Sequence, residues 1–253
     1  LGLAAFRARR MAAAWPAFIP LLLMAVLALA SSLWSQAPEV TERRVLALVL
    51  TGVFAVYLGA VFRGIALPRM LTAAFLVLGV GSLISVFACP GFGVHADVNA
   101  GMWRGLWYEK NQLGMVMAVG LISAAALMAA QEQKADRNLA LIALGVCALA
   151  LLGSQSKTAL IMAMLGAGLV VLCLAIRRMG PVFGVIAVWC LGVALFGGLW
   201  IWSEFSVEIL ALFGKDPSLT GRTEIWDAIS RMAERKPWLG YGYSAFWLPH
   251  AET

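Results

Sequence analysis

Two stretches near the end of the chain, Gly221-Arg222-Thr223-Glu224-Ile225-Trp226 and Pro237-Trp238-Leu239-Gly240-Tyr241-Gly242-Tyr243, are polar and aromatic in a sequence that is otherwise apolar. Ile225, Trp226, Ile229, Met232 and Ala233 recur at helical spacing, with Arg222 three, four and seven positions before the first three. Arg222 therefore falls on the apolar side of an amphipathic helix. It also falls in the first turn, where the macrodipole disfavours a cation. An anion at the helix start would relieve both conflicts, and a guanidinium fork suits phosphate. The rival reading is snorkelling, with the stem on lipid and the charge among headgroups. Lys236 at the far end is expected to snorkel, and Arg231 and Arg235, off the stripe, to be solvated. Pro237 stops the helix, and Gly240 and Gly242 permit a turn closed to other residues. Trp226, Trp238 and Tyr241 are candidates for stacking on sugar rings, against the ordinary role of aromatics in membrane-interface belts.

Two further groups carry chemistry. Gly153-Ser154-Gln155-Ser156-Lys157-Thr158 interrupts an apolar stretch from Leu139 to Ile176. One helix of that length would overshoot a bilayer by roughly a factor of two, so a break is required there. A tight turn explains the small polar residues. It does not explain the lysine, which with Ser154, Ser156 and Thr158 can bind phosphate oxygens in front of helix N–H groups. Trp103-Arg104-Gly105-Leu106-Trp107-Tyr108-Glu109-Lys110-Asn111-Gln112 leads into another apolar run. Interface anchoring accounts for Trp103, Trp107 and Tyr108, whereas Lys110 beside Asn111 suits a phosphate or a sugar. His95 is near Asp97 but lacks metal-ligand spacing, and His250 stands near the end of the sequence, so no metal site and no serine triad is expected. Cys147, Cys173 and Cys190 lie in apolar runs and Cys89 at a span end, which reads as packing rather than a disulfide framework.

What positions these residues is a membrane. The 253 residues are 62% hydrophobic and 13% charged, with mean hydropathy +0.88, against about half and about a quarter in soluble domains. Seven runs without charge follow one another: Pro16–Trp34, Val45–Phe62, Met70–Phe87, Leu113–Ala130, Leu139–Gly153, Ala159–Ile176 and Val182–Trp202. The fold expected is an all-α polytopic membrane protein with about seven transmembrane helices and an extracytoplasmic amphipathic helix. Basic residues on alternate connections (Arg7, Arg9, Arg10; Arg63, Arg69; Lys134, Arg137; Arg177, Arg178) mark the cytoplasmic face. Only Glu132 and Asp136 are acidic there. The loops at Ser35–Arg44 and Ala88–Gln112, the Ser154–Thr158 turn and the segment after Trp202 then face outward. The net charge of +6 is scattered at span ends, which is not the footprint of a nucleic-acid binder.

Taken together, Ser31-Ser32-Leu33-Trp34-Ser35 with Pro38, Glu109-Lys110-Asn111-Gln112-Leu113-Gly114, Ser154-Gln155-Ser156-Lys157-Thr158, Gly221-Arg222-Thr223-Glu224-Ile225-Trp226 and Pro237-Trp238-Leu239-Gly240-Tyr241-Gly242 resemble, in order and spacing, the O-antigen ligase and polymerase family of bacterial membrane glycosyltransferases, and within it exopolysaccharide polymerisation proteins. The resemblance covers about Ser31 to Trp247. It implies a GT-C-like fold in the inner membrane and an active face toward the periplasm. The implied donor is an oligosaccharide on undecaprenyl pyrophosphate, the acceptor a glycan or lipid, and no metal or other cofactor takes part. Arg222 matches a family arginine thought to hold the pyrophosphate, and Lys157 occupies the basic position of the Ser-x-Ser motif. The family histidine, typically followed by Asn, is not matched by His250, which Ala251 follows; it is expected beyond Thr253. The chain starts at Leu1 and ends just after an aromatic cluster, so residues 1–253 are expected to be one domain of a longer protein, with 203–253 opening a large periplasmic loop and no activity in isolation. The expected reaction is inverting glycosyl transfer. The rival classes are a flippase or transporter of lipid-linked saccharides, against which the charge-free runs weigh, and a sensor or scaffold binding peptidoglycan.

Overall fold

A computed structural model of the protein describes residues 15–97, 99–131, 133–180, 182–194, 196–197 and 222–247, with the side chains of Arg222, Thr223 and Glu224 outside that set. The chain is an all-α polytopic membrane protein. Among the described residues its helices are α1 (Trp15–Ala30), α2 (Pro38–Val61), α3 (Ala66–Ala88), the single turn α4 (Pro90–Gly93), α5 (Lys110–Ala130), α6 (Lys134–Ser154), α7 (Lys157–Met179), α8 (Val182–Ala194) and the amphipathic α9 (Arg222–Arg235). A 3₁₀ turn, Ser31–Trp34, follows α1. Among the described residues six helices are long and apolar enough to span a bilayer: α1 with its 3₁₀ turn, α2, α3, α5, α6 and α7. α8 is shorter, and residues 195 and 198–202 of the expected seventh run lie outside the described residues.

Several helices begin before their apolar runs do. α2 starts at Pro38 rather than Val45, and α6 at Lys134 rather than Leu139. Most of the expected Ser35–Arg44 loop is therefore helix. An apolar run marks only the hydrocarbon layer of about 30 Å, while the 24 residues of α2 reach about 36 Å, into the headgroups. Proline at its first position and Glu39 in the first turn both favour starting there.

The helices fall into two compact units: Leu1–Val61 with Cys190–Thr253, and Phe62–Trp189. In the second, α5 is the central helix, in contact with α3, α6 and α7. Leu113, Met117 and Ala118 of α5 interlock with Cys147, Ala150 and Leu151 of α6 and Ala159 and Ala163 of α7. Small residues let the backbones close up where lipid supplies no hydrophobic drive between helices. At one end of this unit Arg69 donates two hydrogen bonds to the Asp136 carboxylate, at 2.6 and 2.7 Å, joining α3 to α6. The pair links two of the connections that the basic pattern assigns to one face. Asp136→Asn should lower the thermal midpoint by leaving a guanidinium half-paired, and exchanging the two charges (R69D with D136R) should recover part of the loss, read by thermal unfolding in detergent.

In the first unit α1 packs on α2, and the segment after α9 closes against both. Trp34 Nε1 donates to the Leu239 carbonyl (2.8 Å), the Tyr243 amide to Ser31 Oγ (2.8 Å), and Thr41 Oγ1 to the Tyr243 carbonyl (3.0 Å). Gly240 and Gly242 hold φ of 62° and 91°, the left-handed turn that their type predicts, and any Cβ at Gly242 would lie 2.6 Å from that of Ser35. Two of the sequence motifs, the Ser31–Ser35 stretch and Pro237–Gly242, thus dock on one another.

Candidate functional site

The end of the second unit opposite the Arg69–Asp136 pair gathers two of the polar motifs. α6 ends at Ser154, Gln155 turns the chain in the left-handed region (φ 50°), and α7 starts at once with Lys157. The break demanded by length is this tight turn. Ser156 stands at the N-cap position but does not cap. Its hydroxyl donates instead to Asn111 Oδ1, 3.0 Å away in the first turn of α5. Among the described residues no side chain accepts from the first amides of α7, an arrangement that favours an anion.

Close packing makes that bond possible. Gly114 lies against the turn, where a Cβ would sit 2.7 Å from the Ser156 Cβ and 2.9 Å from that of Ala159. Trp103 covers Gly153, donating its backbone N–H to the Gly153 carbonyl (3.0 Å), and meets Phe87 edge-on at 5.4 Å. Expected as an interface anchor, Trp103 is instead a packing residue against the unit's core.

Lys157 and Thr158 are exposed beside this corner, and Lys110 is half-buried, its Nζ 2.7 Å from Met102 Sδ. Neither lysine forms an ion pair among the described residues. Ser154 is internal: fully buried, it donates to its own helix at the Leu151 carbonyl (2.7 Å) and accepts from the Ser156 amide. It builds the turn rather than facing outward.

Residues that the sequence left unassigned complete the corner. Glu109 and Gln112 form a reciprocal capping box at the start of α5, legible in hindsight from their spacing of three. His95, 4% exposed, accepts the Lys110 amide at Nε2 (3.2 Å). No local pattern announces a contact made across fifteen residues of loop. Asp97 is held below the usual carboxylate range, chiefly by the Asn99 N–H donating to it at 3.0 Å.

In the first unit, α9 does begin at Arg222, as its amphipathic pattern predicts; that side chain lies outside the described residues. Trp226 and Trp238 are exposed, Trp238 at 94%, and can offer a face to a ligand. Tyr241 cannot do the same. It is 8% exposed, its hydroxyl donates to the Met232 carbonyl (2.9 Å), and Lys236 Nζ sits 4.8 Å over its ring. Lys236 therefore lies on an aromatic face rather than snorkelling. A cavity of about 450 Å³ lies between α1 and the Trp238–Tyr243 turn, lined by Met24, Leu27, Ser31 and Trp34 among others. Among the described residues no three His, Cys, Asp or Glu side chains gather as metal ligands would.

Residues 139–253 match a family described as O-antigen ligase. Over that stretch the chain is similar to the O-antigen ligase family. The turn at Ser154–Thr158, Arg222 and the Pro237–Gly242 segment all lie inside the matched region. Over 228 residues the chain is also 30% identical to the exopolysaccharide production protein ExoQ of Rhizobium meliloti (strain 1021). That alignment takes in 85% of this chain and 49% of the relative, so the chain spans about half of the curated protein it matches. No solved structure matches it.

Proposed function

We propose that the chain belongs to a membrane glycosyltransferase that polymerises or ligates a glycan carried on undecaprenyl pyrophosphate, at the periplasmic face of the inner membrane. One observation carries this reading. The Ser156–Asn111 hydrogen bond brings the Lys110-Asn111 and Ser154–Thr158 motifs into one corner, where among the described residues neither lysine has a carboxylate partner and the N-cap side chain of α7 does not cap. Transfer of the glycan to an acceptor hydroxyl breaks the anomeric C–O bond and leaves a pyrophosphate whose charge must be met as it develops. Cations and N–H groups fixed beforehand in a poorly hydrated place do that better than water can. Lys157, Thr158, the α7 amides and Lys110 would hold phosphate oxygens. Asn111 would contact sugar; in the other unit, taken by itself, the exposed Trp226 and Trp238 would offer faces to sugar and Arg222 a forked contact to phosphate. No residue among those described is assigned as the base that accepts the hydroxyl proton.

In the full-length protein, Lys157→Ala and Lys110→Ala are each expected to lower product from a polyprenyl-pyrophosphate-linked donor by about 100-fold, the usual effect of removing one such contact. Membrane insertion should be unchanged. Product at the unsubstituted level in both variants would refute the assignment, and movement of donor across vesicles without new glycosidic bonds would favour a flippase.

A further inference from the structure

The buried histidine beside this corner has a job that no sequence motif assigns. His95 is fixed at both ends of its peptide unit: its amide donates to the Met102 carbonyl (3.0 Å), and its carbonyl accepts from the Gly101 amide (2.9 Å). The neighbouring Val94 and Trp103 pair as an antiparallel bridge. The imidazole is thereby held against the start of α5. Nε2 accepts the Lys110 N–H at 3.2 Å, so it carries no proton. The proton sits on Nδ1, which is buried without a full hydrogen bond and turned toward Asp97 Oδ1 at 3.4 Å. Glu109, whose Oε2 lies 4.0 Å from Nε2, accepts the Gln112 amide in the capping box.

The first amides of any helix lack partners inside it. In α5 the Gln112 amide is taken by Glu109, and the Lys110 amide by His95. Between these two sits Asn111, whose Oδ1 receives the Ser156 hydroxyl. We propose that His95 is a positioning residue: through the acceptor at Nε2 it fixes the first turn of α5, and hence the placing of Lys110 and Asn111 against the α6–α7 turn. Its effect on glycan transfer rests on the function proposed above; its effect on the α5 terminus does not.

The test compares three substitutions in the full-length protein. Glutamine carries its terminal amide where Nε2 lies, whereas asparagine reaches only as far as Nδ1, and leucine fills the space without an acceptor. Two quantities are followed: hydrogen exchange of peptides covering Lys110–Gln112, and turnover with a polyprenyl-pyrophosphate-linked oligosaccharide. His95→Gln should keep exchange slow and hold kcat within about threefold, while His95→Asn and His95→Leu should speed exchange and lower kcat at least tenfold. A residue that merely filled volume would be replaced by leucine as well as by glutamine, so the gap between those two variants reads the acceptor. Equal behaviour of the Gln and Asn variants, or unchanged exchange in the Leu variant, would overturn the proposal. Should His95→Leu fail to accumulate, the Gln and Asn pair decides alone. If the unsubstituted protein transfers no glycan but the exchange pattern holds, the positioning role stands and the functional reading falls.

Discussion

Gly114→Val is expected to prevent α5 and α7 from closing, and to abolish the stable protein rather than tune it. A Cβ at this position would already lie 2.7 Å from the Ser156 Cβ, 2.9 Å from the Ala159 Cβ and 3.0 Å from Ser154 Oγ. None of these is the loose end of a long side chain. Ser154 and Ser156 are tied to Leu151 and Asn111, so relief needs a shift of the whole turn. Overpacking of one well-filled site costs about 1–3 kcal/mol, and a branched residue brings two more methyl groups into the same space. Alanine should therefore lower the thermal midpoint and valine should remove the folded form. Cys147 provides the reporter: it is fully buried on α6, while Cys89, Cys173 and Cys190 are exposed. In a background where those three are serine, thiol labelling on heating should follow Cys147 alone. Labelling curves that superimpose with and without the substitution would show that the contact is slack.

Arg222→Ala should remove polymerised or ligated product while the protein inserts and accumulates normally. The charge stands at the first position of α9, where the helix dipole and the apolar stripe both disfavour it unless an anion is present. Arg222→Lys is expected to restore little, because an ammonium cannot make the paired contact of a guanidinium. Arg231 and Arg235 are exposed on the same helix and serve as controls, with Arg231→Ala and Arg235→Ala near the unsubstituted level. Glycan ladders from cells carrying each variant read the difference. A full ladder from Arg222→Ala would leave lipid anchoring as the role of this residue.

The spans were legible because a bilayer is a simple solvent: runs without charge have nowhere else to go. The break before Lys157 was legible for the same reason, since length alone forbids one continuous helix. Pro237, Gly240 and Gly242 announced a helix stop and a left-handed turn through backbone chemistry that is local to each residue. Contacts between distant segments were not legible. Nothing in Trp34 or Leu239 taken singly says that the indole of one donates to the carbonyl of the other across 205 residues. The same holds for His95, and for Tyr241, whose aromatic ring looks like a sugar platform until Lys236 and Met232 are found using it. Ser154 and Ser156 share a motif, yet only packing decides that one hydroxyl serves its own helix and the other crosses to Asn111.

That crossing fixes the polarity of everything around it. With one lone pair of its oxygen taken by Ser156, the Asn111 side chain keeps both N–H bonds of its NH₂ to give. Lys110 and Lys157 are likewise givers of protons, and so are the amides that open α7. The rim is thus rich in donors and welcomes oxygens bearing lone pairs. If the proposed donor binds here, its phosphate oxygens, which can only accept, match that set of donors.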